Sequence, residues 1–316
     1  MFTYILRRIL ISIPVLIGIT IVNFTIINLA PGNPVEMLAD PNMSSEQIAM
    51  RLEQLGLNDS WIKQYFNWMG NLLQGNLGYS LSNYEPVTQL IGERILPTVK
   101  LMGLGLLVGV AISIPLGVIS AVKQYSKTDY ILTTGSFLGI SVPNFFLALG
   151  LIYIFSLKYP ILPSGGMSTL GGNGGFWDSL SHLILPVSVL AVGIAGKKIR
   201  YVRASMLEIL GEDYLRTARS KGLKEFVVTN KHALRNALIP VITVVGMEIP
   251  LLLGGAIITE QIFQWPGIGQ LTIQSIVSRD YPTLMALNLL AACTVLFANL
   301  ITDILYSIAD PRIKYN

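Results

Sequence analysis

The sequence predicts an all-α, polytopic membrane protein with six transmembrane helices and both termini in the cytoplasm. Three observations carry that prediction. Of the 316 residues, 52% are hydrophobic and only 13% charged, with mean hydropathy +0.59, too apolar a balance for an ordinary water-soluble protein. Six apolar runs, near 9–30, 98–122, 130–157, 181–200, 238–262 and 282–308, are each long enough to cross a hydrocarbon core. With both termini inside, 16 of the 22 Lys and Arg fall on the terminal side of those runs, which sets the orientation by the positive-inside rule.

Taken in order, the first run follows Arg7 and Arg8, as a signal peptide would. It continues from Ile9 to Ala30 with no small-residue cleavage site after it, so it is expected as a retained span. Segment 31–97 then lies outside. It carries turn residues (Pro31, Gly32, Pro34, Pro41), an amphipathic piece from Ser44 to Leu57, and the aromatics Trp61, Tyr65, Trp68 and Tyr79. Aromatics of this kind favour a membrane interface, and a small folded cap is the alternative. Two further outer loops follow, the Gly-rich Pro160–Ser179 and Gln264–Tyr281 with its Trp265-Pro266-Gly267 turn.

The later spans are rich in helix breakers (Pro115, Pro143, Pro186, Pro250) and small residues, including a Gly105/Gly109 pair and Gly254-Gly255. Small residues allow close helix approach, and neighbouring helices can satisfy the backbone groups that Pro frees. The single cysteine, Cys293, excludes an intrachain disulfide and is expected as a small buried residue.

The most polar stretch of the second half is Gly211–Pro240, with six basic residues (Arg216, Arg219, Lys221, Lys224, Lys231, Arg235) and three acids (Glu212, Asp213, Glu225). Two short helices are expected in it. Asp213 can cap the first, whose acids precede its bases as the helix dipole favours. Tyr214, Leu215 and Ala218 share one face, and Gly222 sits where a left-handed residue stops a helix. Phe226, Val227, Leu234 and Ala237 are the apolar residues of the second, and Pro240 marks the turn into the next span. A docking element and a solvated connecting loop both fit this pattern.

Candidate chemistry is sparse. Glu248 lies mid-span, where a lone acid costs roughly 2.5–3.5 kcal/mol, so it should face a cavity or a partner. It reads equally as a pathway residue, meeting a cationic group such as a peptide amino terminus, and as a packing residue. Asn144 and Asn288 are further pathway candidates or interhelical hydrogen-bonders. His182 and His232 stand alone without metal-ligand spacing, so no metal and no cofactor is expected. The run Gly193–Lys198 lacks the spacing of a phosphate loop and the Ser or Thr after its Lys. Any ATP-driven work would need another chain. The pI of about 9.1 reflects cytoplasmic positive charge, and no nucleic-acid partner is implied.

Gly211–Pro240 resembles the cytoplasmic EAA loop of the membrane subunits of ABC importers. Arg216-Thr217-Ala218 stands in place of the EAA triplet, Gly222 is the glycine, and Ile239-Pro240 the closing apolar–Pro pair. The Arg in place of Glu and the long gap to Pro240 resemble the oligopeptide/dipeptide/nickel branch, with its EDYxRTARxKG and HALRNAxxP pattern. So do ILRRILISIPVLIGIT at the start, LAPGNP at 29–34, GNLGYSL and PVTQLIGERILPT within 75–98, TEQIFQWPGIGQL at 259–271 and YSIADPRIK at 306–314. Glu248 departs from this branch, where a neutral amide is expected.

The resemblance implies the type I importer permease fold: tail and first helix at 1–30, an extracytoplasmic segment at 31–97, and a five-helix core at 98–316 with a coupling loop at 203–237. It implies a permease for oligopeptides or dipeptides in the cytoplasmic membrane, with nickel or oligosaccharide as the alternative cargo. It further implies a second homologous permease, two cytoplasmic ATPase subunits and an external substrate-binding protein. Glu212, Asp213, Tyr214, Arg216, Thr217, Ala218, Lys221 and Gly222 would then contact the ATPase. A passive channel or an intramembrane enzyme is the rival from another class, and Glu248 has no evident catalytic partner in the sequence.

Overall fold

The computed structural model describes residues 2–29, 59–169, 171, 174–246, 248 and 256–309. The expected Ser44–Leu57 helix, Pro250 and the Gly254-Gly255 patch lie outside them. The elements are helices: α1 (Phe2–Leu29), α2 (Trp61–Leu73), α3 (Val87–Val122), α4 (Lys127–Ser141), α5 (Asn144–Ile152) running into a π-helical turn at Tyr153–Lys158, and α6 (Phe176–Leu210). Then come α7 (Asp213–Ser220), α8 (Glu225–Val227), a second π-helical turn at Val228–Ala233, α9 (Leu234–Gly246), α10 (Ile257–Ile262), α11 (Ile268–Val277) and α12 (Tyr281–Ala309). Among the described residues the only β-pairing is an isolated bridge, Tyr79 to Pro86.

By length and composition α3, α6 and Tyr281–Leu300 of α12 can each cross a membrane, and the apolar stretch Leu10–Ile26 lies within α1. α4 and α5 qualify together, but they are bent by 95° at their junction. The chain is thus an all-helical, polytopic membrane protein. The sharp bend was not expected in a single 130–157 span. Its cause is local: Val142 is extended (φ −75°, ψ 121°), because Pro143 disfavours the helical region for the residue before it. α3 also departs from expectation, starting at Val87 inside the segment assigned to the outside and passing through Pro97 and Pro115 unbroken.

The chain divides into two compact units, 1–96 with 267–316, and 97–266. In the first, Val87, Leu90 and Ile91 of α3 pack with Ile268 and Leu271 of α11 and Ala286 and Leu287 of α12. Buried Asp280 starts α12 by accepting from the Thr283 amide and hydroxyl, and it also accepts from the Ser80 hydroxyl and the Leu81 amide. One carboxylate therefore caps a helix and holds the 79–86 turn. Cys293, expected buried, is exposed on α12.

In the second unit α6 is central, and glycines set its distance from α3. A Cβ on Gly105 would lie 2.8 Å from Leu190, one on Gly109 2.8 Å from Ile194, and one on Gly117 2.6 Å from Val202. The side chains of α6 thus fill a row of missing side chains on α3, the close packing that membrane helices use in place of hydrophobic drive. Gly117→Leu should therefore cost about 1–3 kcal/mol through overpacking. Gly103→Ala, with nothing within 4 Å of its Cβ, should cost little. Thermal unfolding of the two variants in detergent checks this, and equal midpoints would refute it. Trp265, expected in an outer loop, is fully buried against Leu101, Leu183 and Leu190, and its indole N–H donates to the Pro97 carbonyl.

Candidate functional site

The polar stretch folds onto the second unit as a short helix on an apolar seat. α7 spans eight residues, Asp213–Ser220, with Glu212 as its N-cap, so the cap falls one residue before the expected Asp213. Both acids still stand at the positive end of the dipole and Arg219 at the negative end. Gly222 has φ +77°. Its N–H donates to Arg219 O, and that of Leu223 to Ala218 O, the paired closure of a Schellman C-cap.

The helix buries a narrow stripe. Leu215 (0% exposed) and Ala218 (8%) sit in a cluster with Val118 and Ala121 of α3, Val202 and Met206 of α6, and Val228, Ala233, Ala237 and Val241. Ala218, assigned by resemblance to the docking set, faces this seat. Glu212, Asp213, Tyr214, Arg216, Thr217, Lys221 and Gly222 remain exposed. Tyr214 lies at the edge, its hydroxyl accepting from Asn236 Nδ2 at 2.8 Å. Arg219 reaches across the Gly222 turn to Glu225, with Nε–Oε2 3.1 Å and Nη2–Oε1 2.9 Å. That hydrogen-bonded guanidinium holds the Glu225 carboxyl below its ordinary range. Both groups are exposed, so the pair orients the turn more than it stabilises it.

The second helix differs from expectation in two ways. Phe226, one of its apolar residues, is 77% exposed and lines a cleft with Ile114, Pro115 and Val118 of α3. Pro240 makes no turn and lies inside α9. Its missing N–H leaves the Asn236 carbonyl without its usual donor. At the neighbouring position Ser205 Oγ donates to Ala237 O at 2.8 Å, holding α9 to α6 there.

A buried polar network adjoins this seat. Asp129 accepts from Arg203 Nε and Nη2 of α6, both at 2.8 Å, from the Ser120 hydroxyl and from the Tyr125 amide. Ser126 Oγ caps α4 by accepting from the Asp129 amide. The 123–127 turn is thereby joined to α6 one helical turn from Met206 in the seat. Arg203 could not be separated in the sequence from the other loop charges, because nothing local marks its partner 74 residues earlier.

The pathway candidates fall into different settings. Asn288 donates to Asn23 Oδ1, and Asn23 Nδ2 to Met285 O, so these two asparagines join α1 to α12. Asn144 is exposed at the start of α5, and a methyl group on Gly193 would sit 3.5 Å from its side-chain oxygen. Glu248 has a partner that sequence reasoning missed: Lys198 Nζ is 2.8 Å from its Oε1. Lys198 is 1% exposed within α6. It also donates to Val244 O at 3.3 Å and lies over the Tyr201 ring. A usable signal existed, because Ala191, Ala195, Ile199, Val202 and Met206 define a buried helical stripe beside which Lys198 falls. No group of three or more His, Cys, Asp or Glu suited to a metal ion occurs among the described residues.

Comparison with known proteins agrees along the whole chain. Residues 113–315 match the family model described as binding-protein-dependent transport system inner membrane component, and residues 1–102 match the model for the N-terminal part of such membrane components. The oligopeptide transport system permease protein AppB of Bacillus subtilis is 46% identical over 316 residues, covering all of both chains. The dipeptide transport system permease protein DppB of Escherichia coli K12 is 37% identical, covering 100% of this chain and 99% of that one. A solved inward-facing MetNI methionine ABC transporter matches in fold alone, at 18% identity and TM-score 0.58, covering 72% of this chain and 99% of the other.

Proposed function

The chain belongs to the family of binding-protein-dependent transport system inner membrane components, and on that premise we propose that it is the permease subunit of an ATP-driven importer carrying oligopeptides or dipeptides across the cytoplasmic membrane. The cargo class is supported by two relatives, one named for oligopeptide and one for dipeptide transport, that align over essentially the full chain. ATP hydrolysis falls to separate subunits, and cargo arrives from an external binding protein. A second, similar permease completes the pathway, and two ATPases drive it. Both termini and α7 lie in the cytoplasm, as the charge asymmetry requires.

The observation that carries the mechanism is the division of α7 into two faces. Leu215 and Ala218 fix it to α3, α6 and α9, while its charged face is exposed. A force on the outer face therefore reaches two long spans directly. The ATPase groove is proposed to take Glu212, Asp213, Tyr214, Arg216, Thr217, Lys221 and the Gly222 turn. ATP-driven closure would move α7 and, through its seat, switch access from one side of the membrane to the other.

Gly222 provides the test. Nothing in the chain lies within 4 Å of where its Cβ would be, so within the subunit a substitution there acts on backbone conformation alone. Val is strained in the left-handed region, at roughly 1–2 kcal/mol, while Asn tolerates it. Gly222→Val should abolish ATP-driven peptide uptake at normal membrane levels, and Gly222→Asn should retain it. Full uptake by the Val variant would overturn the docking assignment. Copurification of a second permease and soluble ATPases with the wild-type chain tests the assembly.

A further inference from the structure

Helix α2 holds a surface that the transport reading leaves unused. At about 100° per residue, its apolar residues cover an arc of roughly 160°, and Lys63, Gln64, Asn67 and Asn71 occupy the opposite side. The apolar arc divides in two. Tyr65 and Trp68 face α1, with ring centroids 5.5 and 6.1 Å from Phe24, and the Tyr65 hydroxyl meets Thr20 Oγ1 at 2.9 Å. Ile62, Phe66 and Leu73 form the other half, exposed by 71%, 66% and 81%.

The depth of these contacts says what covers that second half. A hydrocarbon span of about 20 residues, counted from Ile9 after the Arg7-Arg8 pair, ends near Asn28 or Leu29. At about 1.5 Å per residue, Phe24 and Thr20 lie about 7 and 13 Å inside that end. α2 therefore meets α1 below the membrane surface, beside a helix whose own Ile17, Ile21 and Val22 are exposed. Charge adds a second constraint. The only charge on α2 is Lys63, which is paired with Asp59 at 2.9 Å, so the helix offers no net attraction for anionic headgroups.

We propose that α2 is an interfacial helix that returns into the leaflet at the far end of α1, burying Ile62, Phe66 and Leu73 among lipid acyl chains. Its polar side faces away from the chains. The burial is apolar and indifferent to headgroup charge, as suits an amphipathic helix seated at the headgroup–acyl boundary. This anchors α2 to the bilayer rather than leaving it in a cap in water. The assignment needs only that α1 spans the membrane, and it stands or falls apart from the cargo.

Nitroxide scanning tests it. Single cysteines replacing Ile62, Phe66, Leu73, Asn67 and Asn71, in a Cys293→Ser background, would be spin-labelled in the complete transporter and reconstituted in phosphatidylcholine vesicles. The ratio of oxygen to nickel-chelate collisions should be several-fold higher at 62, 66 and 73 than at 67 and 71. It should not change when phosphatidylglycerol is added. Equal exposure of all five labels to the nickel chelate would place α2 in water and overturn the proposal. Exclusion of both reagents from 62, 66 and 73 would show that another protein surface covers them, and would overturn it equally.

Discussion

Replacing Arg203 with leucine is expected to destabilise the protein by about 3–5 kcal/mol, the cost of leaving a buried carboxylate without its counter-charge. Asp129 is 3% exposed, and its hydrogen bonds to Ser120 and Tyr125 cannot replace a guanidinium that binds both of its oxygens. The double variant Asp129→Asn with Arg203→Leu removes the charge as well as its partner, so it should recover much of the loss. A double-mutant cycle on unfolding midpoints in detergent reads this directly. If Arg203→Leu alone shifts the midpoint no further than an exposed change such as Arg216→Leu, the network does not brace the 123–127 turn.

The second large effect concerns Lys198 and Glu248, and it should be asymmetric. Lys198 is 1% exposed, whereas the Glu248 side chain is 27% exposed. Glu248→Leu strands a fully buried ammonium, and the expected cost is again about 3–5 kcal/mol. Lys198→Met leaves a carboxylate with some access to polar surroundings and should cost less. Combining the two should restore stability close to that of the parent, because the remaining pair is apolar and of similar length. Membrane levels and unfolding midpoints of the four proteins decide it. Equal losses in the two single variants would refute the asymmetry, and no recovery in the double would mean that the pair is not coupled. Peptide uptake by the double variant then separates the two roles left open for Glu248. Uptake that recovers with stability assigns the acid to packing, and uptake that stays lost assigns it to the pathway.

Helix α7 shows how far residue patterns reach and where they stop. Its start, its left-handed stop and its buried stripe are all local properties, set by acids at the dipole's positive end, a glycine and an i, i+3 pair. They were legible for that reason, to within a residue at the cap. Phe226 was not, because an aromatic in a polar stretch can turn toward its own core or away from it. Only the neighbouring helices decide which. Pro240 misled for a related reason: proline's preference for helix ends is a local tendency, and a helix held by tertiary contacts overrides it.

The sequence by itself determined the class of this protein: an all-helical membrane chain, its apolar runs, its charge asymmetry and a compact helix closed by Gly222. Hydropathy, charge and turn chemistry are summed over near neighbours, so they can be read without coordinates. Only the tertiary structure decided which charges pair and which helices touch. Lys198 and Glu248 are 50 residues apart, Asp129 and Arg203 74 apart, and the glycines of α3 acquire meaning only against the side chains of α6. A buried charge must find a partner, but energetics sets only the requirement. Which residue meets it is settled by how the helices pack.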